Sequence, residues 1–169
     1  WLTFTTADDL SYIDFNISEN LTNEARTASV IVSGAKTETF TITQNVANLD
    51  TETNKLEYAQ SGGSYLLKIN SEVTWSASTS YDWIDVAPVS GTAGEANITI
   101  STTPNWDTKQ RYGTVGFYVG DQAFATVLIL QEGVSLSAPE KVSFRALGES
   151  KTIQVEGNLS WNVLSNQVG

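Results

Sequence analysis

Apolar and polar residues alternate with a period of two along most of this chain. Ile13, Phe15 and Ile17 alternate with polar neighbours, as do Phe40 and Ile42. The same holds for Ile98 and Ile100, for Ile153 and Val155, and for Leu159, Trp161 and Val163. Period-two patterning rich in Thr, Val, Ile and aromatics predicts half-buried strands. No window carries a helical stripe with caps. Strand starts recur about every ten residues, separated by Gly, Asn, Asp and Ser, which predicts an all-β sandwich. Seven strands are expected near 55–59, 64–70, 73–77, 83–86, 96–102, 113–119 and 123–131. Pro88, Pro104 and Pro139 all fall between predicted strands, where a missing N–H costs no ladder bond.

The pattern also recurs at long range. Trp1 stands 82 positions before Trp83, Asn20 and Arg26 stand 85 before Asn105 and Arg111, and Gln44 stands 87 before Gln131. Leu56, Tyr58, Gly62, Leu67, Ile69 and Trp75 are each matched 86 positions later by Val142, Phe144, Gly148, Ile153, Val155 and Trp161. A period of about 85 residues marks a repeat array. Three segments follow: 1–47, the later half of a unit; 48–133, a complete unit; and 134–169, the early half of another. The polar stretch 45–54 is expected to be a mobile boundary, and 134–140 a linker that begins an edge strand.

Composition narrows the function classes. The net charge of −10, from 19 acidic and 9 basic residues, argues against nucleic acid, which needs a basic surface. The chain has no cysteine and no histidine, which removes thiol nucleophiles, His-based triads and the usual zinc sets. No cofactor is implied. No apolar run approaches the ~18–20 residues of a membrane span. The chain opens on Trp1 with no signal peptide, so it is expected to be an excised segment whose targeting information lies elsewhere.

The middle unit resembles the BACON domain, the Bacteroidetes-associated carbohydrate-binding module that often lies N-terminal to other domains. The resemblance rests on Trp75, Trp83, the run Pro88-Val89-Ser90-Gly91 with Gly94, the loop from Asn105 to Arg111, and the terminal Gln131-Glu132-Gly133. It covers 55–133 fully, 1–44 as its later half and 141–163 as its early half. The first unit departs from the pattern: between Trp1 and Tyr12 it has neither Pro nor Gly. The resemblance implies immunoglobulin-like sandwiches, an extracytoplasmic setting (periplasm or cell surface), and companion domains that are often carbohydrate-active.

Each conspicuous cluster has a structural reading beside a functional one. Trp1, Trp75, Trp83 and Trp161 fall at corresponding positions and are expected in the core, the alternative being a sugar platform. The pairs Asn20/Arg26 and Asn105/Arg111 bracket a loop and are expected to clamp it; Gln44 and Gln131 read the same way. Asp8, Asp9, Asp82, Asp85 and Asp107 offer no calcium-loop spacing and are expected to be solvated. No pair of carboxylates is singled out for acid–base work, so no catalytic residue and no enzyme are expected. One feature belongs to the middle unit alone. Tyr112, Thr114, Gly116 and Tyr118 share the outer face of one strand, with Trp106 in the loop before it, where the first unit has Thr27, Ser29, Ile31 and Ser33.

Two readings therefore stand. One is a non-catalytic spacer or interaction scaffold within a larger surface protein, its partners being neighbouring domains of the same polypeptide. The other is a carbohydrate-binding module that takes a neutral glycan through Trp106, Tyr112 and Tyr118, with Tyr112 and Tyr118 about 20 Å apart on one strand face at ~3.3 Å per residue and Trp106 folding back from its loop toward Tyr112. The end segments, which would be one residue from register if Gly169 were joined to Trp1, are expected to pair into a second sandwich, within one chain or by strand exchange between chains.

Overall fold

The computed structural model describes residues 1–166, and the described residues contain strands and turns but no helix. The continuation to Gly169, on which the register of the joined ends depends, lies outside them. In the first segment β1 (Leu2–Thr6) and β2 (Ile13–Ile17) form one antiparallel hairpin, and β3 (Arg26–Ser33) and β4 (Thr37–Gln44) form another. Phe4 packs on Phe15, and Phe15 meets Phe40 edge-on at 6.0 Å, which joins the two hairpins through their apolar faces.

The middle segment folds into nine strands: β5 (Leu49–Thr51), β6 (Lys55–Tyr58), β7 (Gly63–Ser71), β8 (Trp75–Ser78), β9 (Ile84–Ala87), β10 (Ser90–Gly91), β11 (Gly94–Thr102), β12 (Arg111–Val119) and β13 (Gln122–Gln131). One sheet has the order β10-β8-β12-β13-β6 and the other β5-β7-β11-β9. Alternation turns Val115, Phe117 and Val119 of β12 inward, where they meet Val127 and Ile129 of β13 and, from the other sheet, Leu67, Ile98 and Ile100. All of these are fully buried, and at ~25 cal/mol per Å2 such apolar surface is the main stabilising term of a sandwich. The Tyr58 hydroxyl donates to the Ile100 carbonyl at 2.7 Å and so ties the two sheets together.

Two strands go beyond the seven expected. The boundary 45–54 is not a loose linker: Ala47 and Leu49 are buried, and β5 pairs with the end of β7. Its polar letters mask this, because only alternate residues face inward and the Asn48 N–H is held by the Glu72 carboxylate at 3.0 Å. The short β10 lies beside β8, with Gly91 opposite Trp75. A Cβ on Gly91 would sit 2.6 Å from the indole, so only glycine lets the chain cross there.

The third segment corrects the alternation reading. Among its described residues only β14 (Leu136–Ser137) and β15 (Glu156–Gly157) are strands, paired with each other. Residues 151–155 and 159–163 carry strand periodicity but have no neighbouring strand to bond among the described residues, and an unpartnered strand leaves its backbone to water. Among the described residues no strand of the first segment pairs with one of the third.

Candidate functional site

The outer face of the five-stranded sheet is built from alternate residues of β12. Tyr118 does not stand up from this face. A Cβ on Gly116 would lie 2.5 Å from the Tyr118 hydroxyl, so the ring lies back along its own strand over the glycine. Beside it runs a groove of about 210 Å3, lined by the hydroxyl-bearing residues Ser78, Thr79, Ser80, Thr114 and Thr126. Thr79 donates its hydroxyl to the Thr114 carbonyl at 2.8 Å, which holds the 78–81 turn against β12. A tyrosine face bordered by hydroxyls can stack on a sugar ring and bond its hydroxyls, and needs no charge to do so.

The other two predicted members lie apart from this groove. Tyr112, 57% exposed, donates to the Gln110 side chain at 2.8 Å, and Trp106, 70% exposed, stands on the loop before β12. Among the described residues no aromatic pair joins any two of Trp106, Tyr112 and Tyr118. The hydroxyl run 78–80 was visible as a Ser/Thr cluster, but nothing local in the sequence says that β8 lies next to β12. A second, larger groove of about 540 Å3 crosses β5, β7 and β11, with Asp50, Glu52, Lys68, Asn70, Glu95 and Asn97 around it. It has polar groups and no aromatic to stack on.

The loop 103–110 is fastened from within. Asn105 is buried and donates to the carbonyls of Lys109 and Glu132, both at 2.9 Å. Arg111 donates through Nε to the Gln131 side chain at 2.9 Å and through its terminal nitrogen to the Thr103 carbonyl at 2.6 Å. Its guanidinium lies 4.2 Å from the centre of the Trp83 ring, and desolvation draws its pKa down from the ordinary arginine value. Gln131, fully buried, donates to the carbonyls of Thr103, Ala59 and Gln60. The first segment builds the same cluster: Asn20 donates to Glu24 and Asn45, Arg26 donates to Gln44 and Ser18, and Arg26 stands 4.8 Å over Trp1.

The four tryptophans expected in the core divide by the completeness of their unit. Trp75 is 3% exposed against Phe117, and Trp83 is partly buried beneath Arg111. Trp1 and Trp161 are 37% and 48% exposed, because the strands that would cover them are not paired to their segments. Asp9 accepts from the Ser11 hydroxyl and N–H, which lowers its pKa; no group of three or more acids, among the described residues, could hold a metal ion. Among the described residues no helix is long and apolar enough to cross a membrane.

Comparison with family models matches residues 1–45 to BACON, described as "Putative binding domain, N-terminal", and residues 59–133 to BACON_2, the viral BACON domain. No curated protein sequence matches the chain. Among solved structures, a Bacteroides ovatus GH5 xyloglucanase in complex with a XXXG heptasaccharide is 23% identical at a TM-score of 0.48, over 55% of this chain and 20% of that one. An endo-fucoidan hydrolase of glycoside hydrolase family 107 is 12% identical at 0.40, over 79% and 22%. The D00-D0 domain of Intimin is 8% identical at 0.34, over 76% and 77%. The chain thus spans about a fifth of either hydrolase, and these scores place no function on it. Over residues 1–45 and 59–133 the chain resembles BACON-type domains.

Proposed function

We propose that this chain is a non-catalytic spacer and interaction scaffold within a larger extracytoplasmic protein. One observation carries the reading: the two BACON-type segments spend their matched residues on the same internal fastening. Asn20, Arg26 and Gln44 make in the first segment the bonds that Asn105, Arg111 and Gln131 make in the second. Residues repeated for that purpose build units of fixed shape and leave no repeated group to contact a ligand. The partners of such a module are the neighbouring domains of the same polypeptide. An extracytoplasmic setting predicts that added protease reaches the segment without opening the inner membrane: in intact cells if it lies on the cell surface, and after permeabilising the outer membrane alone if it is periplasmic.

A second reading has its own observation, the groove of hydroxyl-bearing residues beside Tyr118. It belongs to the middle unit, and its ligand would be a neutral glycan, because a chain of net charge −10 repels an anionic one. Retention of the parent chain on neutral polysaccharides, with Tyr118→Ala and Trp106→Ala beside it, decides between the two. No retention by the parent supports the spacer. Retention lost in Tyr118→Ala with unchanged melting supports the glycan site and overturns the pure spacer.

A further inference from the structure

A joint between repeat units lies on each side of the complete middle unit, and the two joints are built alike. Strand β4 ends at Gln44 and β5 begins at Leu49; β13 ends at Gln131 and β14 begins at Leu136. Each linker is therefore four residues long, 45–48 and 132–135. Beyond it the chain at once becomes the first strand of the next unit, in the same register both times. Leu49 faces Ser71 and Leu136 faces Gly157, and these matching positions stand 87 and 86 apart, as the repeat requires.

The fastening repeats as well. The Asn48 N–H is accepted by the Glu72 carboxylate at 3.0 Å, and the Asn48 carbonyl accepts from the Glu72 N–H at 3.0 Å. At the matching positions the Ser135 N–H is accepted by the Asn158 side-chain oxygen at 2.8 Å, and the Ser135 carbonyl accepts from the Asn158 N–H at 3.2 Å. A carboxylate and an amide thus close the same pair of bonds, which makes the geometry a property of the joint and not of either residue.

Little of either linker is free to turn. In the first, the Asn45 carbonyl accepts from the Asn20 side chain at 3.0 Å, and Ala47 is buried in the core of the middle unit. Val46 alone stands between these two anchors, and two contacts away from the linker stop rotation about it. Glu19 accepts from the Thr74 hydroxyl at 2.9 Å, in the turn after β7, and a Cβ on Gly120, in the turn before β13, would lie 3.1 Å from the Leu21 carbonyl. In the second linker the carbonyls of Glu132 and Gly133 accept from the side chains of Asn105 and Asn158 at 2.9 and 2.8 Å. The Val134 N–H donates to the Asp107 carbonyl at 2.7 Å, and a Cβ on Gly133 would lie 2.5 Å from Thr108, so this linker runs directly against the loop 103–110. Covalently joined units ordinarily move against each other unless their contact is extensive. We infer that consecutive units meet here through a fixed interface, with Glu19 and Glu72 as its fasteners at the first joint, so that the array is a stiff rod whose units keep one orientation. This goes beyond the spacer reading, and it holds whether or not the groove beside Tyr118 takes a ligand.

Distance distributions between paired spin labels test it. The chain has no cysteine, so labels go only where cysteines are introduced. Thr43→Cys on β4 and Asn97→Cys on β11 replace exposed residues outside the joint. The full chain carrying this pair is expected to give one narrow distance. Adding Glu19→Ala and Glu72→Ala is expected to widen it at least about two-fold, with amide exchange at Phe117 and Ile129 unchanged. Glu72→Gln alone keeps an acceptor oxygen, as Asn158 does, and is expected to leave the distance narrow. At the second joint the amide protons of Val134, Ser135 and Asn158 are expected to exchange at least about ten-fold more slowly than unbonded ones. A broad distribution in the labelled parent overturns the inference, as does free exchange at those three amides. A distribution that stays narrow in the double alanine variant overturns the assignment of Glu19 and Glu72 as the fasteners.

Discussion

Gln131→Leu is expected to cost the middle unit far more than Gln44→Leu costs the first segment, although the residues occupy the same position in the repeat. Gln131 is fully buried, donates to three carbonyls within 3.2 Å and accepts from Arg111 Nε. Leucine keeps the volume and removes every one of these bonds. The side-chain amide has two N–H groups for its three carbonyls, so two neutral donated bonds at ~0.5–1.5 kcal/mol each and one from a charged donor at ~1.5–3 give a loss of about 2.5–6 kcal/mol. For a unit of this size that is on the order of 10–50 °C in Tm. Gln44 is half-buried and bonds only Ser18 and Arg26, and water can take over for it, so about 1 kcal/mol is expected. Amide exchange in dilute protein is the assay, read at Phe117 and Ile129 for the middle unit and at Ile31 and Ile42 for the first segment. A Gln131→Leu loss under ~1 kcal/mol, or equal losses in the two variants, would refute the argument that enclosure gives these bonds their worth.

Three further outcomes follow from the geometry. Gly91→Ala drives a Cβ to 2.6 Å from Trp75 and is expected to destabilise the middle unit by ~1–3 kcal/mol, with a changed near-ultraviolet dichroism band for that indole. Burial, with a smaller contribution from Tyr65, pushes the Tyr58 hydroxyl up from 10.0 to about 12. The folded state keeps this proton after the unfolded state has lost it, so its stabilisation is full below pH 10 and is lost as pH rises toward 12; the difference in stability between parent and Tyr58→Phe, followed by denaturant titration, should shrink over that window. Gly116→Ala is expected to lift the Tyr118 ring from the sheet, seen as slower fluorescence quenching of tyrosine in the parent than in the variant.

Much of the sandwich was legible because alternation survives wherever one face is buried. Val115, Phe117 and Val119 follow it strictly, and so do Leu67 with Ile69 and Ile98 with Ile100. What escaped was set by pairing rather than by pattern. Strand β5 carries only Leu49 as an apolar signal, and β10 exists because Gly91 passes close to Trp75. Ile153, Val155 and Trp161 show the opposite failure: they have the periodicity of strands, yet no neighbour among the described residues turns it into a ladder. At the candidate site the Tyr112–Tyr118 face was legible from β12 alone. The groove was not, because Ser78 and Thr126 come from strands that flank β12 only in three dimensions.

The parallel pairing of β6 with β13 has a mechanical consequence. These are strands near the start and end of the middle unit, and Lys55–Tyr58 runs alongside Leu128–Gln131 in the same direction. The chain enters from the end that holds Glu19 and Thr74 and leaves from the end that holds Asp107 and Val134. Tension applied along the polypeptide therefore pulls the two strands in opposite senses along their shared axis. The bonds of that ladder are loaded together, in shear, instead of peeling one after another from an end. A segment strung between two anchors would load β5 and its buried Leu49 first, and would then resist through this four-residue ladder before the rest of its core was exposed.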